Sequence, residues 1–140
     1  MISFNYETEF ELPNEDQLSN WLSQVILSEN KKEGDINYIF CDDEYLLNIN
    51  QQYLDHDTLT DIISFDYSVG NELHGDIFIS IERVRENALD FSVTFDEELK
   101  RVLVHGVLHY CGFKDKSEED EQLMRQKEDE KIKMFHVEHL

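Results

Sequence analysis

Basic residues are scarce in this chain. Its 140 residues include 12 lysines and arginines against 32 acids, a formal net charge of −20. A general nucleic-acid binder carries a basic face, so this balance argues against one. Cysteine is scarcer still. Cys41 and Cys111 are too few for a disulfide framework. The expectation is a cytoplasmic protein with reduced thiols, both of them apolar fillers. No apolar run approaches about 18 residues, so no membrane span is expected. The opening Met1–Glu7 lacks the basic region and long apolar core of a secretion signal. No internal repeat and no linker-like stretch interrupts the chain.

What is present suits a folded domain. Hydrophobic residues make up 40% and aromatics 11%, enough to form a core, and residues 1–140 read as one domain. The charge is unevenly spread. Eight of the 12 basic residues lie between Lys100 and Lys133, and that window also holds eight acids. It is therefore locally neutral, and the rest of the chain carries the whole excess.

The pattern alternates strands and helices. Residues 2–12 read as a first strand. Pro13 and the acids after it open a helix bearing Leu18, Trp21, Leu22 and Val25 at helical spacing. Lys31-Lys32-Glu33-Gly34 breaks the pattern before a strand over 36–41. Asp42-Asp43-Glu44 opens a second helix, and Asp55-His56-Asp57 reads as polar loop. Strands over 62–67 and 75–80, separated by the Gly70-Asn71 turn signal, read as a hairpin. His74 reads as structural. Ser80 caps a third helix, Asp96 is expected to cap a fourth, and Ser117-Glu118-Glu119-Asp120 opens a charged last helix. The tail His136-Val137-Glu138-His139 reads as a fraying end. Together these imply an α/β (α+β) fold, a small mixed sheet of about four strands covered by helices.

The stretch Val104-His105-Gly106-Val107-Leu108-His109-Tyr110-Cys111-Gly112-Phe113-Lys114-Asp115 carries the chemistry. Residues four apart lie on one helix face, so His105 and His109 can aim two ring nitrogens at one point. Gly112 sits where the helix would end in a left-handed residue, and the returning chain can bring Asp115 to the same point. Two imidazoles and a carboxylate leave a fourth position open, the arrangement of a catalytic zinc site with one ion per chain. Cys111, six residues after His105, points elsewhere. Gly106 stands where a thermolysin-like H-E-x-x-H motif needs its glutamate base. Apolar residues around most of the helix imply that it is buried.

The segment resembles the signature of the YbeY family of metal-dependent endoribonucleases, H-G-x-L-H-x-x-G-[YF]-x-H, with Asp115 where the third histidine usually stands. Thr60-Asp61-Ile62-Ile63-Ser64-Phe65 resembles that family's T-D-V-L-S-F block, and Gly75-Asp76-Ile77 its G-D-I block. Leu54 and Leu59 depart from the family, which often has a basic residue and a proline at these places. The resemblance implies an α/β sandwich with the metal helix central and His105, His109 and Asp115 as ligands. It also implies single-strand-specific RNA cleavage in maturation of the 16S ribosomal RNA 3′ end and in ribosome quality control, with the small ribosomal subunit or its proteins as partners. Asp61 and Asp76 are candidates for support. Arg101, Lys114 and Lys116 are close enough in sequence to the ligands to neutralise phosphate. Two alternatives stand beside this reading. One is a metal-dependent hydrolase of another class, such as a peptidase. The other is a non-catalytic, metal-stabilised ribosome-associated factor.

Overall fold

The computed structural model describes residues 1–54 and 60–138. The elements run β1 (Ile2–Tyr6), α1 (Glu15–Ser28), β2 (Lys32–Cys41), α2 (Asp43–Leu54), β3 (Ile62–Asp66) and β4 (Glu72–Ser80). Helices α3 (Ile81–Asp90), α4 (Phe95–Tyr110) and α5 (Glu118–Glu138) follow. The four strands form one mixed sheet in the order β1-β2-β4-β3. β1 and β4 flank β2 in parallel, and β3 closes the sheet antiparallel to β4 as the expected hairpin.

Strand alternation splits the buried residues between two faces. Ile36, Tyr38, Phe40, Ile77 and Ile79 join the main core with α1, α3 and α4. Ile63, with Phe65 and Phe78 packed beside it, meets Leu46 and Ile49 of α2 in a smaller cluster on the other face. Burial of about 25 cal/mol per Å² of apolar surface drives both. Trp21 is core, with no exposed surface. α4 is central: of its 16 residues, ten are buried, and the Tyr38 hydroxyl donates to the Leu103 carbonyl at 2.7 Å.

Several boundaries differ from the sequence expectations. β1 stops at Tyr6, because Phe10 and Leu12 both turn inward, Phe10 edge-on to Phe40 and Phe95. β2 starts at Lys32, where 36 was expected. A register shift between Glu33 and Ile36 absorbs the irregular start, and Glu33 is engaged by Ser23 and the N-terminal ammonium. β4 likewise starts earlier, at Glu72. Thr94, and not Asp96, caps α4, accepting from the Glu97 amide; Asp96 pairs instead with Lys100. The end of the chain is helical through Glu138, because Phe135 packs edge-on to Trp21 and the Trp21 indole donates to the Lys131 carbonyl. Among the described residues, no helix is long and apolar enough to cross a membrane.

Candidate metal centre

The last turn of α4 builds the site. Its end is a Schellman turn: Phe113 N–H bonds the Leu108 carbonyl, and Gly112 N–H the His109 carbonyl. Gly112 adopts φ +104°, a conformation that strains any residue with a Cβ. The turn serves the site twice. It aims the Phe113 carbonyl at His109 Nδ1, 2.9 Å away, and it brings Asp115 back over the histidines.

The three predicted ligands meet. His105 Nε2 and His109 Nε2 are 2.9 Å apart, and Asp115 Oδ2 lies 3.3 Å from the first and 3.2 Å from the second. Each outer ring nitrogen faces an oxygen that only accepts. His105 Nδ1 meets a Glu128 carboxylate oxygen at 2.7 Å, and His109 Nδ1 meets the Phe113 carbonyl. Protons on both Nδ1 atoms satisfy these contacts and leave both Nε2 atoms as lone pairs aimed at each other and at a carboxylate. Three acceptors at such distances repel unless a cation lies among them. Ligand atoms around a four-coordinate zinc at about 2.0–2.1 Å stand roughly 3.3 Å apart, close to the spacing found. The residues thus fit a three-ligand metal site with one open face. With no cation bound, the His105 pKa is governed by opposing effects: burial lowers it, and the Glu128 hydrogen bond and charge, helped by Asp115 and Asp61, raise it above its ordinary value overall.

Sequence reasoning missed Glu128. It lies 23 residues after His105 in a helix that reads as charged and solvated. Yet the buried residues of α5 are Met124, Glu128, Lys131 and Phe135, a 4-3-4 spacing that marks one helix face. An acid on that stripe was the available signal. Glu128 also accepts from Arg101 at 2.8 Å, and Arg101 reaches Asp129 as well.

The other candidates are dispersed. Asp61 shares a cavity of about 420 Å³ with the ligands and Arg101; burial raises its pKa against the pull of His105. Asp76 lies apart from that cavity, accepting from Asn37 and lining a separate one with Tyr67 and His74. Lys114 and Lys116 are exposed and line neither cavity at the centre. Cys111 sits near Glu29, Lys31 and Lys131, away from the ligands. His74 is structural, accepting from the Asp35 amide and bonding Glu72. His136 continues α5. The backbone of Leu54 ends α2, whereas His56, Leu59 and His139 lie outside the described residues. Gly106 faces the sheet: a Cβ there would stand 2.9 Å from Ile77 Cδ1. A glutamate at that position would collide with the sheet and could not serve the metal face.

Known proteins resemble this chain over nearly its whole length. Residues 3–136 match the family model described as Endoribonuclease YbeY. A Flavobacterium psychrophilum protein named Endoribonuclease YbeY is 75% identical over 137 residues, 98% of each chain. A Bacteroides thetaiotaomicron protein of the same name is 42% identical over 95% of this chain and 99% of its own. The solution structure of a Thermotoga maritima protein superimposes with a TM-score of 0.72 at 27% identity, covering 99% of this chain and 91% of that one.

Proposed function

The chain belongs to the Endoribonuclease YbeY family, and from that membership we propose that it is a metal-dependent, single-strand-specific endoribonuclease. Its substrate is ribosomal RNA, its step the maturation of the 16S RNA 3′ end and ribosome quality control, its setting the cytoplasm. One observation supports the metal dependence: two imidazole lone pairs and a carboxylate oxygen converge within 3.3 Å with both outer ring nitrogens already engaged.

In this reading His105, His109 and Asp115 hold one zinc ion. When bound, the ion supplies Lewis acidity towards a phosphoryl oxygen and makes water acidic enough to attack near neutral pH. Glu128 and the Phe113 carbonyl fix ring orientation and tautomer, as partners of metal-binding imidazoles do. Arg101 braces Glu128 from the far side. Asp61, on the cavity wall, supports the site with its charge. The peptidase alternative loses its base to the packing at Gly106.

The test is metal analysis of the purified protein together with chelator-controlled RNA digestion, with and without small ribosomal subunits. The expected result is about one zinc per chain and cleavage abolished by chelator. At −20 the isolated protein repels a polyanion, so cleavage of naked RNA is expected to be poor and to improve with subunits. Intact subunit binding without cleavage under any metal would overturn the reading in favour of a non-catalytic factor.

A further inference from the structure

Resting on that reading, we infer that Arg125 and Phe91 form a subsite for one nucleotide of single-stranded RNA, the guanidinium holding a phosphate beside the metal group and the ring stacking its base.

Elimination among the cations leads to Arg125. Between residues 100 and 133, Lys100 is engaged by Asp96 and Arg101 by Glu128 and Asp129. Lys127 and Lys131 are engaged by Glu29 and Glu130. Lys114, Lys116 and Lys133 make no ion pair among the described residues, but none of them lines a cavity at the metal group; Lys133 faces a groove on the α1 side of α5. Arg125 makes no ion pair or hydrogen bond among the described residues and lines both cavities at the centre. These cavities, of about 600 and 420 Å³, share His105, Asp115, Arg125 and Glu128. A strand passing from one to the other crosses the metal group with Arg125 beside it. The walls otherwise carry Asp61, Glu98, Glu118 and Glu121, which repel phosphate. A guanidinium at the junction that is in no ion pair, though its charge is felt by Glu98 on the same wall, is the local attraction, and its planar fork matches phosphate oxygens.

Phe91 supplies the second contact. It closes α3, with its amide bonded to the Asn87 carbonyl. Phe91 is 57% exposed, makes no ring contact among the described residues, and lines the smaller cavity beside the ligands. A volume of about 420 Å³ lies within the range of clefts that hold small ligands. A free aromatic face stacks any unpaired base and is denied to a base inside a duplex. The pair therefore selects single strands without reading sequence.

The test is fluorescence anisotropy of a labelled single-stranded oligoribonucleotide with the metal-free protein over a salt series, with zinc affinity and circular dichroism as controls for the fold. Arg125→Ala is expected to weaken binding about 10-fold and to lower the slope of log affinity against log salt by roughly 0.7, one phosphate contact. Arg125→Lys keeps most of that slope. Phe91→Ala and Phe91→Leu are expected to weaken single-strand binding about 5- to 100-fold with the slope unchanged; Phe91→Trp retains affinity. Duplex binding responds to none of the three changes at 91. Lys133→Ala, which removes the same charge elsewhere, leaves slope and affinity unchanged. Equal effects of Arg125→Ala and Lys133→Ala, or unchanged single-strand affinity in Phe91→Leu, would overturn the subsite while metal-dependent cleavage by the wild type kept the functional reading intact. A wild type that neither binds nor cleaves any RNA would overturn both.

Discussion

Glu128 and Lys131 lie three residues apart on the buried stripe of α5, 5% and 2% exposed, and they sit in opposite kinds of environment. Lys131 is complete. Its ammonium meets Glu29 at 2.7 Å and Glu130 at 2.8 Å and donates to Ser28 Oγ at 2.8 Å. Every charge there has its opposite, and the cluster ties α5 to the end of α1. Glu128 is also satisfied, by Arg101 and His105, but it hands the deficit on. By holding the proton of His105 on Nδ1 it turns Nε2 into one more acceptor among acceptors. A closed cluster satisfies its own charges, and removing one partner from it is costly. A cluster left one cation short could hold a metal ion.

The largest effect is expected on the open side: the double variant His105→Ala, Asp115→Ala loses stoichiometric zinc altogether, by metal analysis after dialysis, and retention of about one ion per chain would show that the ligands are wrong. His109→Ala is expected to lose metal and activity yet stay folded by circular dichroism, since Val102, Leu103, Val107 and Leu108 supply the packing of α4. The cost is a few kcal/mol at most, on the order of a typical core truncation. Next comes Glu128→Gln, which keeps the shape and removes the charge. Zinc affinity is expected to fall about 10- to 100-fold, as for other partners of ligating histidines, read by competition with a chelating dye.

On the closed side, Lys131→Ala is expected to cost about 3 kcal/mol in denaturant unfolding, the lower end for orphaning a buried partner, because Lys127 still reaches Glu29 at 3.1 Å. Zinc affinity of the folded variant should not move. Glu29 supplies a smaller effect with a defined sign. Burial works to raise its pKa, but hydrogen bonds and charge from Lys131 and Lys127 lower it below the ordinary value of 4.5. A lowered folded-state pKa contributes stability above the unfolded value, and this is lost as pH falls through the folded one. Unfolding midpoints below pH 4.5 should therefore drop more steeply in the wild type than in Glu29→Gln. The smallest effect belongs to Cys111→Ser, which should leave zinc content unchanged. That thiol, pushed up to about 11 by burial, faces away from the ligands.

The convergence of His105, His109 and Asp115 was legible because its signal is local. An i,i+4 pair, a glycine stop and a carboxylate three residues later need only helix geometry to converge. The hairpin, the buried α4 and the Ser80 cap were legible for the same reason. What sequence reading missed depends on docking between distant segments. Glu128 means nothing until α5 lies along α4, and Phe135 does not prevent fraying until Trp21 is beneath it. Lys32-Glu33-Gly34 look like a break until Asn71 and the N-terminus arrive to pair with them. Thr94 and Asp96 are both good cap residues, and the backbone's choice between them follows from where α3 delivers the chain.

In this reading two Nε2 lone pairs and Asp115 wait for a cation. Long-range proton–nitrogen correlation spectra of the histidine rings, recorded at mildly alkaline pH before and after one equivalent of zinc, test it directly. In the metal-free protein, neutral rings protonated on Nδ1 are expected for both His105 and His109. Zinc should shift both Nε2 resonances together and leave His74, whose Nδ1 accepts from Asp35, where it was. Protons on Nε2 of either ring at that pH, or zinc binding that leaves both Nε2 signals unmoved, would contradict it.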